Sequence, residues 1–189
     1  MKRIAIFASG SGSNAQHLTE YFRNNGNAEV CAIYCNNPKA FVIERAAKLD
    51  VPLVLFGRND FYNHNTILND LKSRNIDLIV LAGFLWLIPS AILKEFDRRI
   101  INIHPALLPK YGGKGMYGSA VHEAVVGNNE KESGITIHLI DEVYDRGDIL
   151  LQAKCAVTNE DTPESLAHKV HSLEYEYFPK VIEEYLNTI

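Results

Sequence analysis

Short apolar runs alternate with amphipathic ones through the first half of the chain. The apolar runs predict strands at Arg3–Ala8, Glu29–Tyr34, Leu53–Phe56, Leu78–Ala82 and Ile100–Ile103. The segments between them carry apolar residues at helical spacing and predict helices near 13–24, 40–49, 60–74 and 89–95. Runs such as IAIFA and LIVLAG are apolar at every position, the pattern of strands buried on both faces. Strands alternating with helices in this way predict an α/β fold built on a doubly wound, mostly parallel sheet, with right-handed crossovers placing helices on both sides.

The second half changes character. After His104 comes a glycine-rich stretch, LLPKYGGKGMYG, and then a predicted helix, Ala120–Val126. Two strand-like runs follow, Gly134–Ile140 and Ile149–Val157, joined by DEVYDRGD, which reads as a hairpin. The last predicted element is a long helix, Pro163–Leu186. Thr162 suits its N-cap and Pro163 its first turn. Leu166, Val170, Leu173, Tyr177 and Val181 recur at helical spacing and predict its buried face. No linker composition interrupts the chain, so residues 1–189 read as one domain.

Composition narrows the class. A chain of 189 residues with 47% hydrophobic content supports one well-buried core rather than two large ones. A net charge of −4 argues against a general nucleic-acid or membrane-surface binder, and leaves room for a local basic pocket for a phosphorylated small molecule. The apolar stretch at the N-terminus is too short for a signal peptide, and no window approaches a membrane span. A cytoplasmic protein is expected. Cys31, Cys35 and Cys155 are too few for a disulfide framework. Cys31 and Cys35, four apart in one strand, should share a face as buried thiols. No metal site is expected, because no second Cys/His pair lies nearby.

Four constellations are candidates for chemistry. Ser9-Gly10-Ser11-Gly12-Ser13-Asn14 follows the first strand directly, where glycines allow a sharp turn and a helix start offers free N–H groups to phosphate. It lacks a P-loop lysine and departs from the dinucleotide fingerprint, with alanine at 15. Its plainer reading is a strand-to-helix turn capped by Ser or Asn. Asn102 and His104 end a buried strand on one face, where an amide N–H and an imidazole can stabilise an oxyanion and move a proton. The segment 141–148 is rich in turn residues, and one carboxylate in it would orient a histidine and raise its pKa. Leu81–Pro89 is apolar enough for core, or for the wall of a pocket for a flat ligand.

FASGSGSN, DLIVLAGF, INIHPALLPKY and Asp145-x-Gly followed by ILLQAK, in this order and spacing, resemble the glycinamide ribonucleotide formyltransferase family over nearly the whole chain. The resemblance implies a metal-free transfer of the formyl group of 10-formyltetrahydrofolate to the glycine amine of glycinamide ribonucleotide. It implies Asn102, His104 and Asp145 as the catalytic trio, and Gly12, Ser13 and Asn14 as the phosphate cradle. Glu174 then meets the ribose. Leu85, Trp86, Leu87, Ile88, Asn102 and Asp141 surround the folate, with Arg58 as a further folate contact. The implied partners are these two small molecules, with neither nucleic acid nor membrane, acting on a monomer or weak homodimer.

Two features depart from many relatives: Trp86 stands where they carry Arg, and 112–118 is longer and richer in glycine. Three rival readings stay open. One is a formyltransferase for another amine, such as an aminoacylated transfer RNA or a nucleotide sugar, though those usually carry a further domain. Another is a formyl-folate hydrolase, usually with an extra N-terminal domain. The last, a non-enzymatic nucleotide-binding module, accounts for the glycine turn but not for Asn102, His104 and Asp145 together.

Overall fold

The structure, a computed structural model, describes residues 1–141, 145 and 147–189. Its centre is a seven-stranded sheet of β1 (Lys2–Ala8), β2 (Ala28–Cys35), β3 (Leu53–Leu55), β4 (Leu78–Leu81), β5 (Ile100–His104), β6 (Glu132–Leu139) and β7 (Ile149–Ala156). The strand order is β3-β2-β1-β4-β5-β6-β7. The first five pair in parallel, and β6 and β7 add antiparallel to β5. The helices are α1 (Ser13–Asn25), α2 (Val42–Lys48), α3 (Arg58–Tyr62), α4 (Thr66–Ser73), α5 (Ser90–Glu95), α6 (Ser119–Gly127) and α7 (Pro163–Leu186). Strand order reverses between β1 and β4, and such a switch point opens a crevice at the carboxyl ends of the strands.

Alternation along each strand divides the interior in two. Ile4, Ile6 and Ala8 of β1 join Leu18 and Phe22 of α1 and Val170, Phe178 and Ile182 of α7. Ala5 and Phe7 face the other way, toward Phe61, Ile67, Leu71 and Ile92 of α3 to α5. Both faces of β1 and β4 are therefore buried, which is why their runs are apolar without a break.

Three expectations change on contact with the fold. The helix expected at 60–74 is two, because Asn65 adopts a left-handed φ of 52° and starts α4 afresh. Asn tolerates that conformation better than most residues. Cys31 and Cys35 lie on opposite faces, in the two separate halves of the core. A register shift between β1 and β2 leaves Cys31 out of the pairing, as Ile4 meets Val30 and Ala5 meets Ala32. Such a bulge inverts the alternation beyond it. The pair β6 and β7 forms as expected, with β6 ending at Leu139 and β7 starting at Ile149. Of the expected turn between them, Glu142, Val143, Tyr144 and Arg146 lie outside the described residues.

Helix α7 starts as its sequence dictates. Thr162 Oγ1 accepts from the Ser165 N–H (3.2 Å), and Ser165 Oγ accepts from the Thr162 N–H (3.0 Å). Its buried line runs through Leu166, Val170, Glu174, Phe178, Val181 and Ile182, and the expected Leu173 and Tyr177 sit half-buried on its flank. Pro179 cannot donate to the carbonyl four residues earlier. That carbonyl, Tyr175 O, instead takes a hydrogen bond from His17 Nε2 of α1 (2.9 Å), so the proline defect joins the two helices.

Candidate active site

A cleft of 770 Å³ opens at the switch point, lined by the turn after β1, the loop after β4, the end of β5 and faces of α6 and α7. The turn is held from behind. Gly12, the N-cap of α1, has φ 73°, and a Cβ on it would lie 2.4 Å from Val42 Cγ2. The Val42 N–H donates to the Gly10 carbonyl (3.1 Å), clamping the turn onto α2. No side chain caps α1, contrary to the plain reading of this turn. Its first helical bond is Gln16 N–H to the Gly12 carbonyl (2.9 Å). The N–H groups of Ser13, Asn14 and Ala15 precede that bond at the positive end of the helix, the geometry that favours an anion.

The Asn14 side chain points across to α7, where its Nδ2 donates to Glu174 Oε2 (2.8 Å). His171 Nδ1 reaches the same oxygen (2.8 Å), and this hydrogen bond raises the His171 pKa above the ordinary imidazole range. A glutamate is rarely this buried without partners. The sequence alone marked Asn14 and Glu174 and missed His171.

The opposite wall is apolar. Leu85, Trp86, Leu87 and Ile88 all line the cleft, and Asp141 joins them. Ser9 Oγ accepts from the Leu85 N–H (3.1 Å), tying this loop to the glycine turn. Phe7, Phe56, Phe61 and Phe84 support it from behind through edge and tilted ring contacts, Phe56 meeting Trp86 edge-on at 6.0 Å. Arg58 does not line the cleft: its guanidinium lies over Trp86, 4.9 Å from the ring centre.

At the floor, the structure brings Asn102, His104 and Asp145 together and adds His138. His138 sits opposite Asn102 in the β5–β6 register. Its Nδ1 lies 2.7 Å from the Leu139 carbonyl, which can only accept, so Nδ1 carries a hydrogen. Its other nitrogen, Nε2, lies 3.1 Å from Asn102 Nδ2 and, while it carries no hydrogen, accepts from that amide. This fixes the amide orientation and leaves the second Nδ2 hydrogen for the cleft. The same logic applies to His104, whose Nε2 is 2.7 Å from the Tyr111 carbonyl. Only Nδ1 is left to exchange a proton, and it faces Asp145 Oδ2 at 3.8 Å.

Asp145 lies between the two rings, with Oδ1 3.6 Å from His138 Nε2, and accepts a 2.8 Å hydrogen bond from the Gly113 N–H. Burial opposes its charge, while the Gly113 N–H and the His104 ring favour it, and the carboxyl sits below its usual range. His104 differs from the expectation of a raised pKa. Its burial dominates and sets it below the ordinary value, with Asp145 and the Tyr111 carbonyl pulling the other way. His138 was legible only as one of two polar residues in the strand ITIHL, and its partner 36 positions away is set by register.

Among the described residues no cluster of three His, Cys, Asp or Glu side chains has metal-holding geometry, and no helix is long and apolar enough to cross a membrane. A family profile described as formyl transferase matches residues 2–182. Phosphoribosylglycinamide formyltransferase of Bacillus subtilis (strain 168) is 36% identical over 191 residues, covering 98% of this chain and 95% of that one. The chloroplastic phosphoribosylglycinamide formyltransferase of Arabidopsis thaliana is 37% identical over 96% of this chain, which spans 64% of that protein's length. The crystal structure of phosphoribosylglycinamide formyltransferase from Bacillus halodurans superposes with a TM-score of 0.87 at 33% identity, covering 98% of this chain and 95% of that one.

Proposed function

This chain belongs to the formyl transferase family, and we propose that it transfers the formyl group of 10-formyltetrahydrofolate to the glycine amine of glycinamide ribonucleotide. The observation that carries this reading is one cleft joining an uncapped helix N-terminus, an apolar wall and the Asn102–His104–Asp145 group. The first fits a phosphate, the second a flat pterin, and the third a carbonyl under attack.

The chemistry follows from the hydrogen positions. As the amine attacks the formyl carbon, negative charge grows on the formyl oxygen. The free Nδ2 hydrogen of Asn102 is the donor for it, preset by His138 before substrate arrives. His104 Nδ1 is the proton-exchanging atom. Burial keeps the ring neutral near pH 7, so it can take the proton the amine loses, and Asp145 stabilises the imidazolium formed. The proton then passes to the departing folate nitrogen, releasing tetrahydrofolate. At the far end, the N–H groups of Ser13 to Ala15 hold the phosphate and Glu174 meets the ribose. The apolar Leu85–Ile88 wall takes the pterin, while Arg58 acts on it only through Trp86.

We infer a cytoplasmic monomer or weak homodimer acting on two small molecules. The test is formyl transfer followed by absorbance, with glycinamide ribonucleotide, formylatable transfer RNA and an amino sugar nucleotide as acceptors. Fastest turnover on glycinamide ribonucleotide supports the reading. A faster rate on another acceptor reassigns the substrate, and binding without turnover makes the chain a non-enzymatic module.

A further inference from the structure

Helix α6 carries a polar side chain that the fold leaves unused. His122 is 5% exposed, its Nδ1 is shielded from solvent without a partner, and no hydrogen bond reaches its Nε2 among the described residues. Its helix neighbours Val121 and Val125 are core residues, so an apolar side chain would suit this position. A buried polar group left unpaired is costly, and native structures rarely keep one without a purpose.

The ring lines the cleft between its two working ends. His104, at the reaction floor, and His171 and Glu174, beside the phosphate turn, all act on it electrostatically. Burial comes first among the causes that lower its pKa, and His171 and His104 add to it against Glu174. Near pH 7 the ring is neutral, with one N–H and one lone pair.

We propose that His122 is a binding residue for the acceptor substrate, hydrogen-bonding the segment that links the reacting amine to the phosphate. This rests on the function proposed above. In glycinamide ribonucleotide that segment is an amide followed by a ribose, uncharged groups that donate and accept hydrogen bonds. A neutral imidazole matches them, whereas a carboxylate or ammonium would be desolvated without a counter-charge. A substrate anchored at the phosphate turn still pivots about it. A contact midway fixes the direction of the amine toward the formyl carbon.

The test compares His122→Leu, which keeps the volume and removes both polar atoms, with His122→Gln, which keeps a donor and an acceptor. Affinity for glycinamide ribonucleotide is measured by calorimetry, tetrahydrofolate binding by Trp86 fluorescence, and stability by thermal melting without ligand. The expected result for His122→Leu is about tenfold weaker binding of glycinamide ribonucleotide, unchanged tetrahydrofolate binding and no loss of melting temperature. His122→Gln recovers most of the affinity. Unchanged affinity in His122→Leu overturns the proposal. So does a joint loss of both ligands with a lowered melting temperature, which marks a packing role. Wild-type protein that neither binds nor formylates glycinamide ribonucleotide overturns the functional reading itself, an outcome separable from the other two.

Discussion

Replacing Gly12 with alanine separates the geometry of the glycine turn from its chemistry. Two costs are legible in the structure. A side chain at φ 73° pays about 1–2 kcal/mol for the left-handed conformation. Its Cβ would also sit 2.4 Å from Val42 Cγ2 and 2.9 Å from the Val42 Cα, and overpacking of that kind costs about 1–3 kcal/mol. Together Gly12→Ala should destabilise by about 2–5 kcal/mol, a large part of the roughly 5–15 kcal/mol of a typical domain. Val42→Ala alone, at a fully buried position, should cost about 2 kcal/mol. The two are coupled, because trimming Val42 removes the clash with its Cγ2, though the clashes with its Cβ (2.6 Å) and Cα and the strain at position 12 stay. Urea denaturation of wild type, both single variants and the double variant closes the cycle. The double variant should be more stable than the sum of the singles predicts by about 1 kcal/mol or more. Additive effects, or a Gly12→Ala protein as stable as wild type, would show that the close approach to α2 does not shape this turn.

Three further outcomes are expected. Asn14→Asp sets a carboxylate against Glu174, now 2.8 Å from the Asn14 amide, and adds negative charge beside the helix end; glycinamide ribonucleotide binding should weaken by about tenfold or more while calorimetry shows tetrahydrofolate binding nearly intact. Trp86, half-buried on the cleft wall, should change its fluorescence with tetrahydrofolate and hardly at all with glycinamide ribonucleotide alone; silence at saturating tetrahydrofolate would place the pterin elsewhere. Asp145→Asn removes the charge that opposes burial at His104, so the His104 pKa, already low, should fall further and the acid limb of kcat/KM should move to lower pH, with kcat down by about 10²–10⁴. An unchanged His104 titration by NMR would break that link.

The central strands were legible because they are buried on both faces and therefore almost wholly apolar. Register was not legible. Nothing local in AEVCAIYC announces the bulge at Cys31, which depends on how β1 pairs beside it. The same limit hid His138, His171 and His122. Each is a histidine in an apolar or amphipathic run, and its significance depends on the cleft that distant segments assemble around it. Arg58 shows the converse: resemblance placed it at the folate, and in the fold its guanidinium lies over Trp86 while the residue itself does not line the cleft. Helix ends were limited by backbone detail, as where Asn65 splits one periodic stretch into α3 and α4.

The glycine-rich stretch after β5 has a physical role in how the reacting groups are held. Tyr111 offers its carbonyl to His104 Nε2, and two residues later the Gly113 N–H holds Asp145 Oδ2. One short segment thus sets both the hydrogen position of the imidazole and the place of the carboxylate that faces it. Between them Gly112 has no room for a side chain, since a Cβ would meet Leu108 Cδ2 at 2.5 Å and Asp145 Cβ at 3.3 Å. The segment is anchored outside the cleft, where the Tyr111 hydroxyl donates to Glu130 (3.0 Å) and accepts from Asn128 (3.1 Å) after α6. His104 comes from a parallel strand and Asp145 from the loop after an antiparallel one, so no single element fixes their separation. The backbone at 111–113 does so, and its dipoles also bias the pair, the Tyr111 carbonyl raising the His104 pKa and the Gly113 N–H lowering that of Asp145.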